Sequence, residues 1–329
     1  MRYGRLGRSD LEVSAVCMGL WAIVGGETWG PQDESEAIAA IRTALDAGIN
    51  FFDTAEGYGR GRSEELLGQA LAGRRNEAVV ATKVSRAHLS PEEVRAACEG
   101  SLRRLGTEYI DLYIVHWPSR EVPVEETWRA LEKLRDEGKV RVLGVSNFAE
   151  EDLSELLECG RPECDQLPYS LLWRAIEYEV VPLCVANDIG VTCYSPLAQG
   201  LLTGKFATPE DVPEGRARTR LFSSGRPQAR HGEPGAETET FTAIERIRSI
   251  AGELGRPMAQ VSLAWLLAQP GVASVIAGAR SPEQVRQNAA AGDLELAEDV
   301  VGKLSEATDD LKSIFGSNPD MWESESRMR

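Results

Sequence analysis

The chain has only three histidines, at 88, 116 and 231, and no Cys-x-x-Cys pair among its six cysteines. A structural zinc site takes about four closely spaced Cys or His ligands, so no metal centre is expected. Cys17, Cys98, Cys159, Cys164, Cys184 and Cys193 are expected as free, mostly buried thiols of a reducing compartment. No apolar run approaches the ~18 residues of a membrane helix. Met1-Arg2-Tyr3-Gly4-Arg5 lacks the apolar core of a signal peptide, and a cytoplasmic protein is expected. Positive charge is scarce: 36 Lys and Arg face 52 Asp and Glu, a net charge of −16. That balance argues against a nucleic-acid partner, since phosphate backbones are bound by basic patches. Also missing is a G-x-G-x-x-G turn. The first apolar run is followed by Gly19-Leu20-Trp21-Ala22-Ile23-Val24-Gly25-Gly26, which disfavours a doubly wound dinucleotide fold, the competing architecture.

What is present is alternation. Short apolar runs at Val16–Gly19, Asn50–Asp53, Val79–Lys83, Ile110–His116, Val140–Ser146, Asp165–Leu167, Val191–Tyr194 and Ser274–Ile276 read as strands. Amphipathic segments lie between them, such as Ile38, Ile41, Leu45 and Val94, Cys98, Leu102, Leu105. Capping signals open several, at Asp33, Ser63 and Ser90, and glycines close others, as at Gly48 and Gly138. Eight such units in 329 residues predict an α/β (β/α)8 TIM barrel, one domain over 1–329. The first fourteen residues read as a β-hairpin turning at Gly7-Arg8-Ser9-Asp10, placed to plug the barrel bottom. The stretch from Phe206 to Glu239 is long and rich in Gly, Pro, Arg and Glu. A loop of that length in a compact domain is functional or disordered.

Barrel active sites lie at the carboxyl ends of the strands. Those positions carry Asp53, Lys83, His116, Ser146-Asn147, Gln166 and Tyr194-Ser195, with Tyr58 just beyond Asp53. Taken singly, Asp53 can cap a turn, Tyr58 can pack a loop and His116 can sit in a core. Lys83 is harder to place passively, because an ammonium inside a barrel mouth needs a partner. Together they suggest an acid: Asp53 anchors Lys83, and Lys83 lowers the pKa of Tyr58 toward neutrality for proton donation. His116 is then positioned to orient a carbonyl oxygen.

These residues sit in segments that resemble the aldo-keto reductases over essentially the whole chain. The resemblance is nearest to the short-loop bacterial branch that includes the potassium-channel β subunits. It is carried by Gly48-Ile49-Asn50-Phe51-Phe52-Asp53-Thr54-Ala55-x-x-Tyr58-Gly59, Ala81-Thr82-Lys83, Val115-His116-Trp117, Gly144-Val145-Ser146-Asn147-Phe148 and Tyr194-Ser195-Pro196-Leu197-Ala198-x-Gly200-Leu201-Leu202-Thr203-Gly204-Lys205. The family tetrad falls on Asp53, Tyr58, Lys83 and His116. The resemblance implies NADPH as cofactor, with NADH usable at higher concentration. Ser146, Asn147 and Gln166 would hold the carboxamide, Tyr194 would stack on the nicotinamide, and Ser195, Pro196, Leu197, Ala198, Gln199 and Lys205 would hold the pyrophosphate. Gly278, Arg280, Gln284, Gln287 and Asn288 would form the adenosine end, with Arg280 on the 2′-phosphate. Trp21, Trp29, Tyr58 and Trp117 are expected to line the substrate pocket, Trp21 also touching the cofactor, with Trp173 and Phe222 as further candidates. Arg216, Arg218 and Arg220 could close over the phosphates.

The expected activity is hydride transfer to an aldehyde, ketone or sugar-derived carbonyl. The expected partner is thus a small-molecule carbonyl or alcohol, not a nucleic acid or membrane. A nicotinamide-sensing regulatory subunit is the alternative. A Schiff-base aldolase on Lys83 is a third reading, disfavoured because Asp53 would keep the lysine charged.

Overall fold

An N-terminal hairpin, β1 (Tyr3–Arg5) and β2 (Glu12–Ser14), precedes eight strands in the computed structural model, which describes all 329 residues. These are β3 (Val16–Gly19), β4 (Phe51–Asp53), β5 (Val79–Val84), β6 (Ile110–Val115), β7 (Val140–Ser146), β8 (Cys164–Pro168), β9 (Gly190–Tyr194) and β10 (Val272–Gly278). They pair in parallel in sequence order, and β10 closes the ring against β3. Helices follow the strands, among them Glu34–Asp46, Arg62–Ala70, Pro91–Leu105 and Val124–Asp136. The architecture is the (β/α)8 barrel that the alternation predicts. All eight predicted strands form, with ends differing by up to two residues.

Side chains alternate along each strand, so every second residue faces the barrel axis. Cys17, Phe51, Ala81, Leu112, Ile114, Val142, Cys164 and Ile276 form the interior cluster. Leu6, Leu11 and Val13 of the hairpin complete that cluster, which makes the hairpin the floor of the barrel. Gly7 turns the hairpin at φ +57°, and a Cβ there would meet the Glu163 carbonyl oxygen at 2.4 Å. A larger, separate layer packs between strands and helices, including Phe52, Val80, Tyr113, Leu143 and Leu167.

The helix starts follow the capping signals in part. Asp33 accepts a hydrogen bond from the Glu36 amide. Ser63 does not cap its helix, which begins at Arg62 after Gly61. Its hydroxyl accepts from Thr54 and donates to the Leu20 carbonyl, at 2.8 and 3.1 Å. Ser63 is therefore a pin beneath the β3 and β4 loops.

The stretch 206–239 has no strand, and its only helical turn before Glu237 is Pro209–Asp211. It is nonetheless tied down. Arg220 is buried, pairs with Glu233 at 2.8 Å and donates to the Asp320 carbonyl at 3.0 Å. The last residues return across the carboxyl-end face. Buried Asp320 takes a two-pronged ion pair from Arg327, at 2.7 and 2.9 Å, and accepts from the amides of Trp322 and Glu323. Asp152 fixes the far end through Arg120 and the Arg329 amide.

Leu6 is fully buried in the floor. Leu6→Ala is expected to cost about 2–5 kcal/mol of stability, read by urea denaturation. The site at the opposite end of the barrel keeps its geometry, so the loss should appear in the unfolding midpoint and not in cofactor affinity.

Candidate active site

Each polar residue at the mouth stands two positions beyond an inward-facing one on its strand. Asp53 follows Phe51, Lys83 follows Ala81, His116 follows Ile114, and Gln166 follows Cys164. The period-2 geometry therefore aims all of them at the same axial space. Lys83 is completely buried and spends its donors there: Asp53 Oδ1 at 2.7 Å, the Thr54 carbonyl at 2.8 Å and the Tyr58 hydroxyl at 3.3 Å. Its ammonium also lies 4.9 Å from the centre of the Tyr58 ring. Gln166 donates to the other Asp53 oxygen at 2.8 Å. His116 packs edge-on to Tyr58, ring centres 5.8 Å apart.

Burial opposes the charge of Lys83, but Asp53 and then Tyr58 outweigh it and hold the ammonium's pKa above its ordinary value. A lysine held charged cannot form the Schiff base of an aldolase. Burial pushes Tyr58 upward more than Lys83 pulls it down. The expectation of a phenol tuned toward neutrality is corrected: the net shift is upward, because losing water costs the phenolate more than one shared cation returns. Tyr58 remains a proton carrier at neutral pH. Burial, then the Lys83 charge, lowers His116 to about 3, so its imidazole is neutral.

A second chain of hydrogen bonds crosses the β7–β9 side. Tyr194 donates to Asn147 Oδ1 at 2.8 Å, and Asn147 Nδ2 donates to Ser146 Oγ and the His116 carbonyl, both at 2.9 Å. Ser146 Oγ donates to the Gln166 carbonyl at 2.8 Å. Asn147, Ser195, Ala198 and Gln199 all adopt left-handed backbone conformations, φ 64°, 51°, 46° and 55°. Such strain gathers at ligand sites. The Ser195-Pro196-Leu197-Ala198-Gln199 segment folds back on itself, the Ala198 amide donating to the Ser195 carbonyl at 2.8 Å. Both polar atoms of the Gln199 amide are buried without a partner. Gly200, at φ +99°, leaves a space where a Cβ would meet Lys205 Nζ at 3.0 Å and Arg216 Nη1 at 3.8 Å.

The buried and half-buried arginines elsewhere are paired. Arg75, Arg104, Arg174, Arg220 and Arg327 each hold a carboxylate. Lys205 and Arg216 face no acid: burial and then a neighbouring cation lower both, Arg216 acting on Lys205 and Arg280 on Arg216. In a chain of net charge −16, two cations converging beside Gly200 without an acid suit an anion. An orphaned amide, an open glycine cradle and unpaired cations fit a phosphate-bearing cofactor.

The residues expected at an adenosine end are occupied with one another and with the 29–32 segment. Arg280 donates to Gln32 Oε1 at 2.6 Å, the Trp29 carbonyl at 2.5 Å and the Pro31 carbonyl. Three of its five N–H donors are thus spent, which leaves two for a phosphate. Gln284 Oε1 accepts from the Arg280 amide at 2.9 Å, Asn288 donates to the Gly278 carbonyl at 3.2 Å, and Gln287 bonds Glu283 at 3.1 Å.

Of the expected pocket aromatics, Trp21 stacks on Tyr58, centres 6.2 Å apart, and meets Trp29 edge-on at 5.4 Å. Trp117 lies beneath the Arg327 guanidinium, 4.0 Å from the ring centre. Trp173 and Phe222 are not in the pocket wall: Trp173 is buried against Phe315 and donates to the Pro319 carbonyl, and Phe222 is buried beside Arg226. Arg220 is likewise committed to the tail rather than to a phosphate. The tail residues Trp322 and Arg327 reach the mouth, as a tail folded back over the barrel requires; Met321-Trp322 and Met328 are the apolar signs of it in the sequence.

Residues 15–309 match the Aldo/keto reductase family. The chain is 36% identical to the NADH-specific methylglyoxal reductase of Escherichia coli (strain K12), over 89% of this chain and 94% of that one. It is 34% identical to a probable voltage-gated potassium channel subunit beta of Oryza sativa subsp. japonica, over 98% and 99%. The structure resembles a crystal structure of an aldo/keto reductase from Klebsiella pneumoniae in complex with NADP and acetate, with TM-score 0.74, 34% identity and coverage of 92% and 94%.

His116 is expected to stay neutral across the working range, so its NMR imidazole signals should not titrate between about pH 5 and 8. The unfolded chain takes up a proton near 6.5, whereas native His116 does so only at about 3. The stability carried by this group is therefore full above 6.5 and falls as pH drops through that interval.

Proposed function

The chain belongs to the aldo/keto reductase family, and from that premise we propose that it is an NADPH-dependent reductase of aldehydes, ketones or sugar-derived carbonyls. One catalytic domain over residues 1–329 is proposed, acting in the cytoplasm; no helix is long and apolar enough to cross a membrane. The observation that carries the reading is Tyr58, 3.3 Å from a lysine locked to Asp53 and edge-on to a neutral imidazole.

When bound, the cofactor supplies a hydride from nicotinamide C4 to the carbonyl carbon. Ser146, Asn147 and Gln166 would hold its carboxamide and Tyr194 its ring, while the 195–199 turn, Lys205 and Arg216 would hold its phosphates. Arg280 would read the 2′-phosphate, with Gly278, Gln284, Gln287 and Asn288 around the adenosine.

Tyr58 acts as the general acid, giving its phenolic proton to the carbonyl oxygen as that oxygen gains charge. Lys83⁺ stabilises the phenolate left behind, and Asp53 keeps Lys83 charged and in place. Neutral His116 is suited to hold the substrate oxygen by a hydrogen bond. Trp21, Trp29 and Trp117 wall the substrate.

Tyr58→Phe is expected to lower turnover about 10²–10⁴-fold while leaving NADPH affinity nearly unaltered. Absorbance of NADPH over a carbonyl panel, with fluorescence quenching for affinity, checks both halves; near-native turnover would remove Tyr58 from the role. Cofactor bound without turnover by the native chain would favour a nicotinamide-sensing subunit instead, the reading suggested by the likeness to the channel β subunit.

Arg280→Ala is expected to weaken NADPH about ten- to a hundredfold, the worth of a charge-assisted contact. NADH, lacking the 2′-phosphate, should lose much less. Equal losses in a fluorescence titration would show that Arg280 does not read that phosphate.

A further inference from the structure

Arg218 stands apart from the phosphate-side cations. Its guanidinium lies 5.4 Å from the ring centre of Trp21 and 4.8 Å from that of Trp322, between the β3 loop and the C-terminal tail. Indoles satisfy a cation's charge but give its N–H donors no acceptor. Arg218 Nε is buried with no hydrogen-bond partner, and no carboxylate pairs with the group. Burial and then the like charge of Arg230 act against it, and no acid acts in its favour. An arginine held in place by two aromatic faces, with unspent donors beside a substrate wall, is organised for an anion that arrives from outside.

The placement relative to Tyr58 ties that anion to the carbonyl's carrier. Trp21 touches both groups: its ring stacks on Tyr58 at 6.2 Å and lies 5.4 Å from the Arg218 guanidinium. A carbonyl on Tyr58 and an anion on Arg218 therefore meet the same indole and belong to one substrate pocket. Neutral carbonyls would leave the arginine unpaired.

We propose that the substrate is an aldehyde or ketone carrying a carboxylate or phosphate, and that Arg218, held between Trp21 and Trp322, binds that anion. The proposal rests on the carbonyl-reductase reading above. It makes the tail a part of the substrate site through Trp322, and it divides three arginines of the 206–239 loop: Arg216 to the cofactor, Arg218 to the substrate, Arg220 to the fold.

The test compares matched pairs at saturating NADPH: 4-oxobutanoate against butanal, and glyceraldehyde 3-phosphate against glyceraldehyde. The native chain is expected to favour the charged member of one pair in kcat/KM, and which pair responds tells carboxylate from phosphate. Arg218→Met should lower kcat/KM for that charged member roughly ten- to a hundredfold, mainly through KM, and lower the neutral member much less. Arg218→Lys should retain part of the preference. Equal losses on charged and neutral members would make Arg218 a brace for the tail and overturn the proposal, as would a native chain with no preference. If no carbonyl is reduced, the reductase reading fails on its own. Tryptophan fluorescence of the NADPH-loaded chain titrated with glutarate and glycerol 3-phosphate then decides the anion site. Quenching lost in Arg218→Met would support the site, and quenching equal in both chains, or none, would overturn it.

Discussion

Lys83 is an ammonium with no access to water, and the mouth of this barrel is arranged around that fact. A buried charge is tolerated only when a countercharge and further acceptors replace its hydration. Asp53, the Thr54 carbonyl and the Tyr58 hydroxyl are those replacements. Asp53 in turn needs its second oxygen satisfied, and Gln166 crosses from β8 to do so. Three strands and the loop after β4 are thus bound to one nitrogen. The local geometry of the candidate acid follows from satisfying a charge.

The rest of the carboxyl-end face shows the opposite condition. Lys205, Arg216 and Arg218 lack acids in a chain with a surplus of sixteen negative charges. The surplus makes ion pairs easy to find, and the half-buried arginines away from this face find them. Leaving these cations open costs stability, and such costs are concentrated where a ligand offsets them. The left-handed residues Asn147, Ser195, Ala198 and Gln199 lie on the same face. The opposite end of the barrel is closed by apolar packing of the hairpin. One end holds the fold, and the other holds strain and charge.

The loop 206–239 and the tail are where these two demands meet. Arg220, Asp320, Arg327 and Asp152 are spent on anchoring. Those anchors present Arg216 over Trp29 and Arg218 between Trp21 and Trp322.

The sequence by itself determined the barrel, because alternating periods of 2 and 3.6 residues are local properties that survive without partners. It also determined the rim residues, since strand parity sends Asp53, Lys83, His116 and Gln166 to one axis once each strand is placed. Only the tertiary structure decided how the ionisable groups balance. The upward shift of Tyr58 depends on how much water the neighbouring loops remove, which no spacing encodes. Only the tertiary structure separated Arg216, Arg218 and Arg220, three like residues two apart, into different surroundings. Loops carry no periodicity, so the fate of their side chains rests on long-range contacts with Trp21, Trp29 and a tail about a hundred residues further along the chain.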